Sequence, residues 1–393
     1  MGMAAKAHGM DGTLVEADWP PLALDEVRLL FERFPDFAAP LEIISTSPRP
    51  FSAASVVKIG ARKVFVKRHH RAVRDHEGLA EEHRFMDHLR RNGAAVPRVL
   101  ATPKGESAIE IGEWTYEVHE LPDGIDLYED AVSWTPFRSA THARAAGKAL
   151  ASLHEAARGF DAPVRKIQPL VAGFSIFASA DPAGSMERYC ADRPALRDHA
   201  ETRRHCDVSL ELLWPFHAEL SPLLPALNPL WTHNDLHASN LFWTDTGQDA
   251  RATAIIDFGL ADRSTAVHDL ALALERNVVE WLDLVRDPAH SGDVPVYLDH
   301  AFALLEGYEE VRRLSEEEAA ALAPMLALCH AEFALTEADY FLGVLHSEEK
   351  ARMATDGYLV AHARWFRSKS GEDLLNALRV WSRTRSQRRN EKE

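Results

Sequence analysis

Cysteine is scarce in this chain. Cys190, Cys206 and Cys329 are the three in 393 residues, and none forms a CxxC pair. That pattern argues against a zinc or disulfide framework and points to free thiols in a reducing compartment. Long apolar runs are scarce as well. No uncharged stretch is long enough to cross a bilayer; the best candidate, near Leu220 to Trp231, is broken by Pro222, Pro225 and Pro229. The opening MGMAAKAHGMDG has neither a signal-peptide core nor transit-peptide arginines, and Lys6 stands where a myristoylation site wants Ser or Thr. A cytoplasmic location with no membrane partner is expected. Positive charge is outnumbered, 44 Lys and Arg against 60 Asp and Glu, for a net charge of −16. That balance argues against nucleic acid as a partner.

What is present is enough for two lobes, since 393 residues exceed what one core usually supports. Hydrophobic residues make up 46% and charged residues 26%, the values of an ordinary soluble globular protein. Charge is unevenly placed. Lys58 to Arg98 holds eleven Lys and Arg against five Asp and Glu, a surplus of six, which leaves −22 on the remainder. A basic segment suits an anionic ligand; an acidic remainder suits a cationic one, or serves solubility alone.

Residues 1–37 read as a polar N-terminal extension with one short amphipathic helix, Asp25 to Phe34. Residues 38–121 read as a β-rich small lobe. LEIIS, SVVKIG, KVFVKR, VPRVLAT and WTYEVHE have strand character, and RDHEGLAEEHRFMDHLRRNG has helical spacing stopped at Asn92-Gly93. LPDGIDL is a turn-rich break. Residues 122–393 read as a large, mostly helical lobe. SATHARAAGKALASLHEAARGF is its clearest helix, with Ala146, Leu150, Leu153 and Ala157 on one stripe. The closing SRTRSQRRNEKE reads as a frayed basic tail.

WTHNDLHASNLFW, residues 231–243, places histidines, an aspartate and asparagines between apolar ends. ATAIIDFGLAD follows, joined by the turn TDTGQDARAT, so the polar cluster sits on a loop entering a hairpin. Asp257 emerges at the end of the returning strand. A carboxylate, an amide oxygen and a second carboxylate brought to one point can handle a hydroxyl proton and hold Mg2+, a hard cation that prefers oxygen ligands. That is equipment for phosphoryl transfer. His233-Asn234-Asp235-Leu236 with Asn240, then Asp257-Phe258-Gly259, matches the kinase order H-R-D-L-x-x-x-N and D-F-G.

With these motifs the chain resembles the aminoglycoside phosphotransferase and choline kinase family, the small-molecule branch of the protein-kinase-like fold. THNDLHASNLFW, IIDFG and VHDLA carry the resemblance, which spans about residues 40 to 285. It implies an α+β, two-lobe fold and a Mg2+-dependent transfer from ATP, or GTP, to a hydroxyl of a small molecule. It implies Asp235 as the catalytic base, Asn240 and Asp257 as Mg2+ ligands, and Lys67 on the phosphates. Glu82 would pair with Lys67, Asp269 would hold the catalytic loop, and His233 and His237 would shape it. Simpler readings stand beside these. Lys63 competes with Lys67, and Glu77 and Glu81 compete with Glu82. Asp269 could merely face a helix dipole. His69, His70, His76, His83 and His88 follow no ligand pattern and read as surface residues, not a metal site.

The segment Thr46 to Ala54 contains no glycine, unlike the phosphate loop of protein kinases. Asn234 stands where the family has glycine. After Asp257 the chain runs almost directly into a helix, with no A-P-E motif, so no peptide-docking platform is expected. A small, amine-bearing acceptor fits the acidic balance, with Glu275, Glu280 and Asp283 as candidate contacts. A compact bacterial stress-type Ser/Thr protein kinase and a non-catalytic nucleotide-binding scaffold are the alternatives.

Overall fold

The computed structural model describes residues 6–8, 14–37, 39–286 and 294–390. Strands β1 (Lys6–His8) and β2 (Leu14–Glu16) form a small antiparallel pair. Helix α1 (Leu24–Phe31) follows. The small lobe is a five-stranded antiparallel sheet of β3 (Leu41–Thr46), β4 (Ala53–Ile59), β5 (Arg62–His70), β6 (Ile109–Ile111) and β7 (Trp114–Glu120). Its spatial order is β3-β4-β5-β7-β6. Successive side chains on a strand point to opposite faces. Val57, Val64, Val66, Tyr116 and Val118 therefore bury one face. Phe65, Lys67, His69, Glu117 and His119 share the other. Helix α2 (His76–Arg91) starts at Asp75, whose side chain accepts from Gly78 N, and buries Leu79, Phe85, Met86 and Leu89.

Two expectations for the small lobe change. Val27, Leu30, Phe31, Phe34 and Phe37 join its core, so the stretch ending at residue 37 is part of the lobe and not a polar lead-in. VPRVLAT forms only the single bridge Val99 to His119; Pro97 has no N–H to give a ladder. The outer strand is β6, which is too short to stand out in the sequence.

The break after β7 is anchored. Ile125 and Trp243 exchange backbone bonds of 2.9 Å in both directions. Gly124, at φ +103°, lies so close that a Cβ would meet Trp243 O at 2.4 Å.

The large lobe opens with α3 (Ala140–Ala157), capped by Ser139, followed by α4 (Pro182–Ala191), α5 (Pro194–Arg197) and α6 (Ala200–Leu220). Two short pairs follow: β8 (Pro229–Thr232) with β11 (Asp262–Thr265), and β9 (Leu241–Trp243) with β10 (Ala252–Ile255). The remainder is helical: α7 (Ala266–Val278), α8 (Trp281–Arg286), α9 (Leu298–Val311), α10 (Glu316–Leu328), α11 (His330–Gly343), α12 (Glu348–Arg352), α13 (Ala361–Phe366) and α14 (Lys369–Asn390), with a π-helical stretch at Met353–Val360. Helices α3 and α9 touch at Gly147, where a Cβ would stand 2.0 Å from Leu304 O.

One more expectation, the frayed tail, changes here. The stretch Glu316–Gly343 is long and apolar enough to cross a membrane, yet 94% of its most apolar window is buried inside the protein, as in a core helix. The C-terminal segment is helical to Asn390, and Arg385 is buried against Glu309 and the Leu314 and Ser315 carbonyls. The three cysteines are free and buried, with Cys190 and Cys206 in Sγ contact at 3.7 Å.

Candidate active site

The polar loop 233–240 leaves β8 and enters β9, and Asp257 leaves β10. Pairing of Ile256 N with Asn240 O at 3.0 Å ties the two segments together. Asn234 and Asp257 both have φ of +61°, a left-handed conformation that Asn and Asp tolerate better than other side chains. This explains Asn234 in place of glycine. Its amide is also used: Oδ1 accepts from Thr232 Oγ1 at 2.8 Å and Ser264 Oγ at 3.1 Å.

Helix α7 holds the loop from below. Asp269 is fully buried and accepts from His233 N at 2.9 Å, Asn234 N at 2.8 Å and His154 Nε2 at 2.9 Å. Burial alone would raise its carboxyl, but the His154 bond and charge together with His233 outweigh it and keep Asp269 ionised. Asn277 accepts from Ala238 N and donates to Leu236 O, each at 2.9 Å. Inside the loop, His233 Nε2 donates to Ile256 O at 2.9 Å while Nδ1 accepts from Asp235 N at 3.2 Å. Burial keeps that ring neutral, which fits this tautomer. His237 Nδ1 bonds Ser239 Oγ at 2.8 Å.

Asp235 and Asn240 meet directly. Asn240 Nδ2 donates to Asp235 O at 2.9 Å and to Asp235 Oδ2 at 3.3 Å. Burial pushes the Asp235 carboxyl up to about 7, with Arg276 opposing that rise. Arg276 has no exposure and pairs with Asp235 through Nε and Oδ1 at 3.0 Å. The sequence reading missed it. The available signal was its position seven residues after Asp269, on the same helix face.

Lys67 reaches across from β5 to Asp257, with Nζ to Oδ1 at 2.8 Å. Burial would raise the Asp257 carboxyl; the Lys67 ammonium overrides it and keeps the group ionised. The expected pair of Lys67 with Glu82 is not formed. Glu82 Oε1 instead accepts from Arg74 Nε and Arg165 Nη2, each at 2.7 Å. Two guanidiniums close to Oε1 supply two charge-assisted bonds to this buried carboxylate, while Lys67 is taken by Asp257.

The glycine-free segment is also placed differently from a flexible flap. Arg49 Nη1 donates to Ala131 O at 2.9 Å and Ser133 Oγ at 3.1 Å, so the segment is fastened to the large lobe. Phe51, at φ +73°, packs edge-on to Tyr340 at 5.3 Å. Arg49 is near enough to Asp126, Asp257 and Asp235 for all three carboxylates to act on its charge. It is a second cation facing the cleft that the sequence reading missed.

A cavity of about 410 Å³ lies in the large lobe, with Trp134, Glu349, Arg352, Asp356, Tyr358 and His362 on its wall. Trp134 connects it to the loop, since the Arg276 guanidinium lies 5.3 Å from the Trp134 ring. The acids on the wall are therefore Glu349 and Asp356. Glu275 is buried against His362 and Arg276, Glu280 accepts from Tyr297 OH at 3.1 Å, and Asp283 is exposed.

His69 and His83 also depart from expectation. Both are buried, not surface residues, and both bond Glu117.

Comparison with known proteins gives one family match: the model described as the phosphotransferase enzyme family fits residues 50–314, more than half of the chain. No curated protein matches by sequence. Among solved structures, a microcompartment-associated aminopropanol kinase superposes with a TM-score of 0.58 at 16% identity, covering 89% of this chain and 99% of its own. An aminoglycoside phosphotransferase from Alicyclobacillus acidocaldarius gives 0.52 at 18%, covering 88% and 94%. An amicoumacin kinase in complex with AMP-PNP gives 0.54 at 13%, covering 86% and 93%. At such identities these likenesses speak for the fold.

Proposed function

The chain belongs to the phosphotransferase enzyme family, and from that premise we propose that it transfers the γ-phosphoryl group of ATP, or GTP, to a hydroxyl of a small amine-bearing molecule. One observation carries the reading. Lys67 pairs with Asp257 at 2.8 Å, Asn240 bonds Asp235 at 3.3 Å, and the 3.0 Å backbone bond from Ile256 to Asn240 holds the two pairs together, although residues 67 and 257 come from different lobes.

The donor set fits Mg2+. Asp257 is held ionised at the mouth of the cleft, and Asn240 offers an amide oxygen beside it, both hard oxygen donors. Bound there with the nucleotide, the ion would neutralise charge on the β- and γ-phosphates. Lys67 binds phosphate oxygens from the small-lobe side, and Arg49 adds a second positive charge over the cleft. Asp235 accepts a hydrogen bond from the acceptor hydroxyl and takes its proton as the oxygen attacks phosphorus. Arg276 holds Oδ1 so that the other oxygen faces the acceptor. Asp269 and Asn277 keep the loop rigid, and rigid placement is most of what such a transfer asks of the protein.

The lining of the cavity supports the amine-bearing part of the proposal. Trp134 and Tyr358 supply aromatic surface, and Glu349 and Asp356 supply negative charge beside Arg352, which is paired with Glu201; that lining is compatible with an ammonium group. A protein acceptor is disfavoured because α7 begins at Ala266, after the short strand β11, leaving no segment on which a peptide could dock.

A coupled ADP-release assay tests the proposal, run with ATP or GTP against amino sugars, amino alcohols, hydroxy amino acids and nucleosides. Turnover that needs an amine-bearing acceptor and vanishes in Asp235→Ala is the expected result. Phosphate transfer to lysate protein with none to amines would favour the protein-kinase reading. Nucleotide binding without any hydrolysis or transfer would leave only a scaffold.

A further inference from the structure

The small lobe carries a second cluster of ligating groups, outside the proposed catalytic centre. Glu117 on β7 lies opposite Lys67 of β5 in the sheet register, on the face covered by α2. Three imidazoles converge on its carboxylate through their Nε2 atoms. His83 of α2 reaches Oε2 at 3.0 Å, His119 of β7 reaches Oε2 at 2.6 Å, and His69 of β5 reaches Oε1 at 2.9 Å. The ligand atoms of His83, Glu117 and His119 all lie within 4.8 Å of one another.

We propose that His83, Glu117 and His119 form a site for one borderline transition-metal dication, Zn2+ foremost. Two nitrogens and one carboxylate oxygen are a recurrent zinc donor set, and Mg2+ and Ca2+ are disfavoured because they take oxygen ligands. Tetrahedral zinc with bonds of about 2.0–2.1 Å places neighbouring ligand atoms roughly 3.3 Å apart. The present Oε2 contacts of 3.0 and 2.6 Å are shorter than that, so both rings must draw back from the carboxylate, His119 by the larger step, to admit the ion.

The surroundings are those of a built site. His83 Nδ1 faces Ser107 Oγ at 2.8 Å, which fixes the ring and leaves Nε2 for the ion. His69, bonded to Oε1, orients the carboxylate so that Oε2 faces the two other rings. His83 and Glu117 are closed off, at 4% and 5% side-chain exposure, but His119 reaches 14%. His119 is therefore the side from which an ion would enter and solvent could supply a fourth ligand. Bound there, the ion would tie α2 to β7 beside the strand that carries Lys67. The same groups could instead share protons alone, and the experiment separates the two.

The untagged full-length chain is stripped with chelator, then dialysed against Zn2+ in excess Mg2+, and metal content is measured. One Zn2+ per chain is expected, with the thermal midpoint rising on addition. His83→Gln with His119→Gln should lose the ion. Ser107→Ala, which removes only the partner of His83, should weaken binding by roughly 10-fold or more. Co2+ in the wild-type chain should give the visible bands of a four-coordinate nitrogen and oxygen site, a readout independent of whether any variant folds. Asp257→Asn should keep the Zn2+, because that residue belongs to the other cleft. Absence of stoichiometric Zn2+ and of the Co2+ bands, retention of metal in the double variant, or its loss in Asp257→Asn would overturn the proposal.

Discussion

At the scale of single residues, Asp235 sets the expectations. Its carboxyl titrates at about 7 because burial disfavours the anion, and the proposed chemistry needs the anion. The acceptor kcat/KM should therefore climb as pH rises through about 7 and level off above it, which a pH profile of the free enzyme reports. Arg276 opposes the burial shift, so Arg276→Met should move that rise to higher pH; a profile shifted to lower pH would contradict the pairing. Asp235→Ala should cut kcat by about 10²- to 10⁴-fold while nucleotide still binds, since the phosphate contacts remain. Asp257→Ala removes a proposed ion ligand together with the partner of Lys67, so calorimetry should find that Mg2+-dependent nucleotide binding is lost.

At the scale of elements, the decisive feature is what α2 does with Glu82. Held by Arg74 and Arg165, this carboxylate fastens α2 to the large lobe and leaves Lys67 to Asp257. Removing one partner of a buried charge cluster leaves the others uncompensated. Glu82→Gln should accordingly cost about 3–5 kcal/mol in chemical denaturation while leaving the KM for nucleotide nearly unchanged. A kinase in which this glutamate served the lysine would show the reverse. The α3–α9 crossing offers a second check. Gly147→Ala puts a methyl against the Leu304 carbonyl and should destabilise by about 1–3 kcal/mol without altering the site.

At the scale of the whole molecule, the large lobe buries several acids. Glu337 is the clearest: at 2% exposure, with Oε2 unpartnered among the described residues, it is pushed up to about 8 by burial. A carboxyl with a raised folded pKa keeps its proton in the native state after the unfolded chain has lost it. The native state then binds more protons, so stability falls as pH rises from the unfolded value near 4.5 toward 8. Glu337→Gln should raise the thermal midpoint, with a gap to wild type that widens between pH 6 and 8; a gap constant over that range would point to packing alone. The −16 net charge adds to the same trend through self-repulsion at high pH.

How much was legible beforehand differs by level. The small-lobe strands and α2 were readable because alternation and helical spacing mark half-buried elements. The loop residues Asp235, Asn240 and Asp257 were readable because polar groups set between apolar ends are costly unless used. Local order along the chain thus determined the lobes, the loop and its candidate chemistry. Partner choice was another matter. Whether Lys67 meets Glu82 or Asp257, that Arg276 and Arg49 face the same cleft, and that His69, His83 and His119 crowd one glutamate were decided only by tertiary packing. An ion pair is a competition among all charges brought within a few ångströms, and no spacing along one segment records who the distant competitors are.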